Sequence, residues 1–448
     1  MVGACKRRGT PDIAHECTLR RRLAHFFSIA GPGCMAMLAD TDAGSIVTAA
    51  QSGARWGYRL LWLQLLLIPI LYLVQELTVR LGLFTGKGQG SLIRDTFGRG
   101  WAWFSAVVLL VSTVGALVTE FVGIAAAGSL FAIPVPYSVG LGVLFLLGVV
   151  LTGSYRRVER IGIAVGLFEV ALVIAAFMAH PDMSEIRNEF FSVPIKDSEY
   201  VTLVAANVGA VIMPWMIFYQ QGAIVDKGLS CSCDGNYRCC RWDTAVGSVF
   251  AQLIMVGALV LTAATIGKIN PSASLDSVEQ IADAITPLTG LLGGKILFAV
   301  GITSASLIAS IVVSLAAAWG VSELLNAGRS FNMSVKEAPG FYFGYACLII
   351  AAGFFVLGDF HLVGLTILVE IVNALVLPII LGFLLLLALR LLPAPMSLKG
   401  WEKALLCSIY IALSALSVFT VVNMRVGEWA PRGASPPQFE IWARQRRP

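Results

Sequence analysis

Asp42 stands in the middle of an apolar stretch, inside the run Leu38-Ala-Asp-Thr-Asp-Ala-Gly-Ser45. A carboxylate at mid-membrane depth costs about 2.5–3.5 kcal/mol on insertion scales, so it persists only where something compensates it. Gly44 and Ser45 are poor helix formers, which predicts an interruption of the helix at this point. A broken helix frees carbonyl oxygens beside the acid, the nearest expected around Ala39. Carboxylate and carbonyl oxygens together suit a hard cation such as Mg²⁺, Mn²⁺ or Ca²⁺. Asp42 could instead cap the second half-helix, whose dipole favours an acid, but its depth is wrong for a mere cap. Asp40, two residues earlier, either shares the ion or faces a water-filled vestibule.

A second interruption is expected in the run from Asn207 to Gln221, which contains Met213-Pro-Trp215. Pro214 removes a backbone donor and clashes with the carbonyl four residues back, so the helix should break near 210–213. Met213 could aim its thioether into the gap, a donor that favours softer transition ions and adds little for Mg²⁺. Ala210, one turn earlier, could offer a freed carbonyl. Glu120, Glu169 and Glu370 (with Asn373 nearby) are further acids within apolar segments, each a functional candidate by default. Glu120 has the best claim to face the site. Arg156, Arg157 and Arg160 read as orientation signals at a membrane boundary. The run Thr85-Gly-Lys-Gly-Gln-Gly90 lacks the spacing of a phosphate loop and follows an apolar helix. No H-E-x-x-H, nucleophile elbow or dinucleotide fingerprint occurs, and the chain has four histidines.

The elements that must position these residues follow from composition. The 448 residues are 57% hydrophobic and 13% charged, with mean hydropathy +0.80. Soluble domains carry about 25% charged residues, so this is an all-α polytopic membrane protein. Eleven stretches are long enough to span, at about 24–54, 59–83, 101–131, 136–153, 158–180, 200–226, 243–268, 294–325, 341–358, 361–390 and 401–424. They form one transmembrane domain over 24–424, between an amino-terminal segment 1–23 and a polar tail 425–448. The two interruptions fall in spans one and six, corresponding places if 24–180 and 200–390 are two groups of five. Five is odd, so the groups would insert oppositely as an inverted repeat, with 401–424 an extra helix.

With the amino terminus in the cytoplasm, 21 of the 32 Lys and Arg fall on the inner side. The net charge of +5 follows from this bias and does not point to nucleic acid. No cleavage site follows Arg20–Arg22, so no removable signal is expected. Cys231, Cys233, Cys239 and Cys240 fall in one inner loop, reducing and unsuited to disulfides, that could hold a soft metal or be an inert insertion. The outer loops 181–199 and 269–293 are acidic, which would either concentrate cations at the mouth or mark ordinary solvated loops.

These residues resemble a known family. Asp-Ala-Gly-Ser at 42–45 resembles the D-P-G-N motif in the first helix of the Nramp divalent-metal transporters. Gln75-Glu-Leu-Thr-Val-Arg-Leu-Gly-Leu-Phe-Thr-Gly-Lys-Gly88 is similar to that family's second helix and the loop after it. Ala210-Val-Ile-Met-Pro214 matches its sixth-helix A-x-x-M-P motif. The resemblance implies a LeuT-type fold of two inverted five-helix repeats, with Asp42, Ala210 and Met213 as metal ligands. Four departures stand out: the motif's Pro is Ala43, its Asn is Ser45, the sixth-helix His is Trp215, and the acid three residues before Glu120 is Leu117. The last two remove groups that the resemblance associates with proton coupling. The pattern is similar to the Nramp-related magnesium transporters, whose site is relaxed for a partly hydrated ion, whereas Met213 argues for Mn²⁺ or Fe²⁺.

The expected function is therefore a divalent metal cation transporter of the plasma membrane, importing Mg²⁺ or Mn²⁺ by alternating access, as a symporter or without coupling. Its expected ion site is Asp42, Ala39, Ser45, Ala210, Met213 and Glu120. No enzyme activity, no cofactor and no partner beyond the metal and the lipid bilayer are expected, and nothing demands more than a monomer. Two rivals differ in class. A sodium-coupled organic-solute transporter of the same fold would need a sodium gradient, and a membrane metal sensor would use the Cys231–Cys240 loop.

Overall fold

A computed structural model describes residues 31–150, 155–230, 234–268, 275, 280–282, 286, 290–325, 337, 339–358, 362–393 and 396–423. The segment 1–30, the tail from 424, Cys231, Cys233 and most of 269–289 lie outside the described residues. So Arg20–Arg22 and half of the cysteine cluster lie outside them too. All regular elements among the described residues are helical, as a chain in hydrocarbon requires when every backbone donor must find a partner nearby. In order they are α1 (Pro32–Asp40), α2 (Ala43–Trp56), α3 (Leu61–Thr85), α4 (Gln89–Phe97), α5 (Arg99–Ser129) and α6 (Val135–Val150). Then come α7 (Tyr155–Gly166), a 3₁₀ turn Leu167–Glu169, α8 (Val170–Met178), α9 (Met183–Phe190), α10 (Ser198–Val211) and α11 (Pro214–Asp226). The remainder are α12 (Asp234–Thr262), α13 (Leu291–Leu325), α14 (Pro339–Val356), α15 (Leu362–Leu391) and α16 (Gly400–Asn423).

Among the described residues, nine helical stretches are long and apolar enough to cross a membrane. Ala43–Thr85 counts as one of them and holds both α2 and α3, and Val135–Val150 falls just short in length. Helix therefore occupies each of the eleven apolar stretches expected from sequence. Between lipid tails apolar packing alone does not hold helices together; close backbone approach and polar ties do. At Gly209 on α10, an added Cβ would stand 2.7 Å from the Ala374 backbone nitrogen of α15. Asn207, two residues earlier, receives Gln64 Nε2 of α3 at 2.7 Å on its Oδ1 and donates through Nδ2 to Ser52 Oγ of α2 at 2.8 Å. Thr262 Oγ1 of α12 donates to the Ala50 carbonyl of α2 at 2.7 Å. These contacts bind α2, α10 and α15 into one core, with α1 packed against α11 and α2 against α10.

Two loop expectations change. The acidic stretch 181–199 contains α9, and Asp182, Glu189, Asp197 and Glu199 in it have structural partners. Asp182 caps α9 by accepting from Ser184 N at 2.8 Å, and its bonds from Ser184 hold its carboxyl below the usual range. Asp197 caps α10, Glu189 accepts from Tyr58 N at 2.7 Å, and Glu199 pairs with Arg55 at 2.8 Å. A helix start leaves its first amides without acceptors, and acids answer that need before they answer a distant cation. The cysteine loop is also partly helix: Cys239 and Cys240 lie in α12, where Cys240 is buried among Val79, Leu83 and Ile224. Cys240 faces an apolar cluster, not a ligand set.

Gly209→Val should force α10 off α15 and cost about 1–3 kcal/mol, as overpacking does. Detergent-purified protein should then show a lower melting temperature by fluorescence, while Gly340→Val, with open space around it, should leave it unchanged.

Candidate metal centre

Both breaks appear where local chemistry puts them. Helix α1 ends at Asp40 and Thr41 leaves helical geometry (φ −82°, ψ 45°). Asp42 then becomes the N-cap of α2, its Oδ1 accepting from Ser45 N at 2.7 Å. In the second rod α10 ends at Val211, and Met213 is extended (φ −85°, ψ 140°) because the residue before a proline is pushed out of the helical region. Pro214 opens α11 at a first-turn position, where its missing N–H is no loss.

The two gaps face each other. Ser45 Oγ, from the first turn of α2, donates to the Ala210 carbonyl of α10 at 2.8 Å. That carbonyl is one of those a helix end leaves without an intrahelical donor. Glu120 of α5 reaches the same place, its Oε2 accepting from Ala43 N at 3.3 Å. The Met213 thioether sits at the second gap and accepts from Trp215 Nε1 at 2.9 Å, so the indole that stands where the resemblance expects a His fixes the sulfur. Ala39 lies in the last turn of α1, among the final carbonyls that the helix cannot pair. All six expected site residues are fully buried, at 0% exposure. The structure joins Asp42, Ser45, Ala210 and Glu120 through direct contacts, places Met213 at the facing break, and leaves Ala39 on the α1 side.

Glu370 of α15 is the addition. Sequence marked it as an intramembrane acid but gave it no place in the site. A Cβ built on Gly44 would collide with Glu370 Oε1 and lie 3.3 Å from Asp42 Oδ1, so the two carboxylates share one glycine face. Asn373 Nδ2 donates to Glu370 Oε2 at 3.1 Å, and Ser112 Oγ donates to Asn373 Oδ1 at 2.7 Å, which fixes the acid's direction. The acid and amide three residues apart were visible in sequence, but which way that face of the helix turns is set by packing alone. Asp42 Oδ2, Glu120 Oε1 and Glu370 Oε1 are buried and carry no hydrogen bond. Orphaned carboxylate oxygens of this kind are costly unless a cation or a proton meets them. Among the described residues no three His, Cys, Asp or Glu side chains are arranged to hold one ion. The donor set is therefore mixed: carboxylate, peptide carbonyl, hydroxyl and thioether.

The centre is buried, and polar ties lie to either side of it. Toward α1, Asp243 Oδ2 of α12 accepts from Gly31 N at 3.0 Å and Gly33 N at 2.8 Å, and Lys227 pairs with Glu159 at 2.9 Å. Toward the far end of α2, Arg55 pairs with Glu199, and Trp62 Nε1 donates to Tyr200 OH at 3.0 Å.

Comparison with known proteins follows the same lines. The family profile Nramp, described as natural resistance-associated macrophage protein-like, matches residues 33–423. Divalent metal cation transporters MntH of Yersinia pestis (strain Pestoides F) and Yersinia pseudotuberculosis serotype O:3 (strain YPIII) are each 29% identical over 316 residues. That alignment covers 67% of this chain and 74% of the relative. A crystal structure of the Eremococcus coleocola manganese transporter, in complex with an aromatic bis-isothiourea substituted compound, superposes with TM-score 0.75 at 17% identity. It covers 97% of this chain and 93% of that one. MhsT in complex with L-phenylalanine gives TM-score 0.60 at 13% identity, over 88% and 98% of the two chains. The fold is the LeuT type, two inverted five-helix repeats followed by an eleventh helix.

Asn373→Ala should let Glu370 swing and weaken binding of a divalent ion, titrated as Mn²⁺, by about 10–100-fold, the usual cost of losing an outer partner of a ligand. Isothermal titration of the purified protein measures it, and unchanged affinity would place Glu370 outside the centre.

Proposed function

The chain belongs to the Nramp family, and from that premise we propose that it transports Mn²⁺ through the Asp42 centre by alternating access, with Mg²⁺ carried more weakly along the same path. The family's members are divalent metal cation transporters and not enzymes, and the metal is cargo, not cofactor. One observation carries the finer reading. The breaks of two membrane helices meet at the Ser45–Ala210 contact, with an unpartnered oxygen of Asp42 at the same place.

In the proposed cycle Asp42 binds the ion directly. Ser45 and the Ala210 carbonyl, now bonded to each other, part to share it, the Ala39 carbonyl completes the α1 side, and Met213 supplies sulfur. Glu120 and Glu370 hold the ion by charge or through retained water, which a hard divalent ion gives up reluctantly. The thioether adds affinity for Mn²⁺ or Fe²⁺ but little for Mg²⁺, which sets the order of preference. Release to either side requires one of the two closures, at Asp243 or at Arg55, to open while the other holds. Trp215 and Leu117 stand where the resemblance associates proton-coupling groups, so we assign the driving force to the metal's own gradient. The bias of Lys and Arg supports an orientation with the amino terminus in the cytoplasm.

Asp42→Ala should reduce Mn²⁺ uptake into proteoliposomes to the leak of empty vesicles; uptake at the unmutated rate would remove the centre from the mechanism. Met213→Ala should raise the half-saturating Mn²⁺ concentration about tenfold, roughly one lost soft contact, and leave the competing strength of Mg²⁺ unchanged. Internal pH recorded during the same uptake should stay constant, and acidification in step with Mn²⁺ entry would restore proton coupling.

A further inference from the structure

An apolar cavity of about 610 Å³ opens between the carboxyl end of α5, the start of α6, the turn Leu167–Glu169 and α13. None of the metal-site residues lines it. Apart from Tyr137, Ser138, Thr303 and Ser304, its lining carries no polar side chain. It continues the lipid-facing surface of the bundle, for its lining residues Leu141, Phe168 and Val300 are 71%, 57% and 41% exposed. Along α13 it runs from Ile296 to Leu307, about 16 Å at the helical rise. Half of a bilayer's hydrocarbon core is roughly 15 Å deep. The groove therefore has the length of one leaflet.

Lipid tails are as apolar as leucine, so burial alone does not hold an acyl chain in such a groove. Close packing and a polar tie have to do so, and Ser138 offers the tie. It lies in the first turn of α6, is 9% exposed, and its Oγ has no hydrogen-bond partner. Serines in helices often donate to a carbonyl three or four residues back, as Ser304 does to Gly301 at 2.7 Å on the α13 wall. For Ser138 the carbonyl four residues back is that of Pro134, which already accepts from Tyr137 N and Ser138 N. The hydroxyl instead rests on Gly128 of α5, where an added Cβ would collide with it. A buried hydroxyl left this way is costly unless a ligand brings an acceptor. Tyr137 beside it is 73% exposed, and tyrosine favours the membrane–water interface. Ser138 thus stands just beneath the headgroups, at the level of the ester carbonyls.

We propose that this groove binds one acyl chain of a glycerophospholipid from the leaflet at the carboxyl end of α5, with Ser138 Oγ donating to the ester carbonyl at the head of that chain. The leaflet is the outer one in the orientation proposed above. Rotation of the serine to another staggered position turns its hydroxyl from Gly128 toward the groove. The chain then descends between α6 and α13, past Val300 toward Leu307. An ester carbonyl accepts and cannot donate, which matches the one unmet donor in the wall. Ile124, one turn beyond Glu120 on α5, belongs to the same wall, so the lipid lies against a helix that also carries a metal-site acid. The inference rests on the chain's place in the bilayer and not on the metal reading.

The test is native mass spectrometry of the purified full-length protein, delipidated and then titrated with dioleoyl phosphatidylcholine in detergent. The expected result is a phosphatidylcholine retained in one-to-one ratio with the chain. Val300→Trp, which fills the groove, should remove it, whereas Ile411→Trp, at a 66% exposed position on α16, should not. Ser138→Ala should weaken binding about fivefold, the worth of one hydrogen bond. The dialkyl ether analogue, which lacks the ester carbonyls, should bind the unmutated chain about fivefold more weakly than the ester. Ser138→Ala should not distinguish ester from ether. Absence of a stoichiometric lipid on the unmutated chain would overturn the site, as would unchanged retention by Val300→Trp or equal loss in Ile411→Trp. Equal affinity of the unmutated chain for ester and ether would overturn the donation by Ser138. Should Val300→Trp not fold, the ester and ether comparison in Ser138→Ala still decides.

Discussion

Unpaired peptide groups in hydrocarbon cost several kcal/mol each, and that penalty governs this molecule. A membrane helix stays continuous unless its broken end finds another partner. Here two rods break side by side, and the partner of one end is the other: Ser45 of α2 closes on the Ala210 carbonyl of α10. The rest of the structure serves that meeting. Gly209 brings α15 close enough for Glu370 to reach Gly44, Asn207 locks α10 to α2 and α3, and Trp215 fixes the sulfur at the facing gap. A contact between two freed ends is also one that an ion can replace, because a cation satisfies carbonyl and hydroxyl oxygens as readily as they satisfy each other.

Electrostatics then sets the direction of the chemistry. The centre gathers acid without base, while the Lys and Arg ion pairs lie away from it, at Lys227–Glu159, Arg80–Glu76, Arg55–Glu199 and Lys87–Asp95. Those pairs brace the bundle; the unpaired carboxylates at its middle need a proton or a cation to meet them.

Much of this was legible in the chain. Pro214 announced the second break because a proline inside a helix removes a donor whatever surrounds it, and Asp42 beside Gly44 and Ser45 announced the first. Apolar run length located the spans for the same local reason. What sequence could not supply was direction across the bundle. Glu370 and Glu169 were visible as intramembrane acids, yet only packing turns one toward Gly44 and the other toward Thr41. The acids of 181–199 read as a field at a pore mouth, but helix α9 and the start of α10 claim Asp182 and Asp197 as caps. Cys239 and Cys240 read as loop residues, soft-metal ligands or an inert insertion, because the start of α12 is polar, and the helix carries Cys240 into an apolar cluster.

Anomalous diffraction at the manganese edge, from crystals soaked in Mn²⁺, tests the central claim most directly. The account predicts a peak between Asp42 Oδ2 and the Ala210–Met213 gap, with the Ser45–Ala210 contact opened around it. Manganese density only at surface acids, with that contact intact and the gap empty at saturating metal, would contradict it.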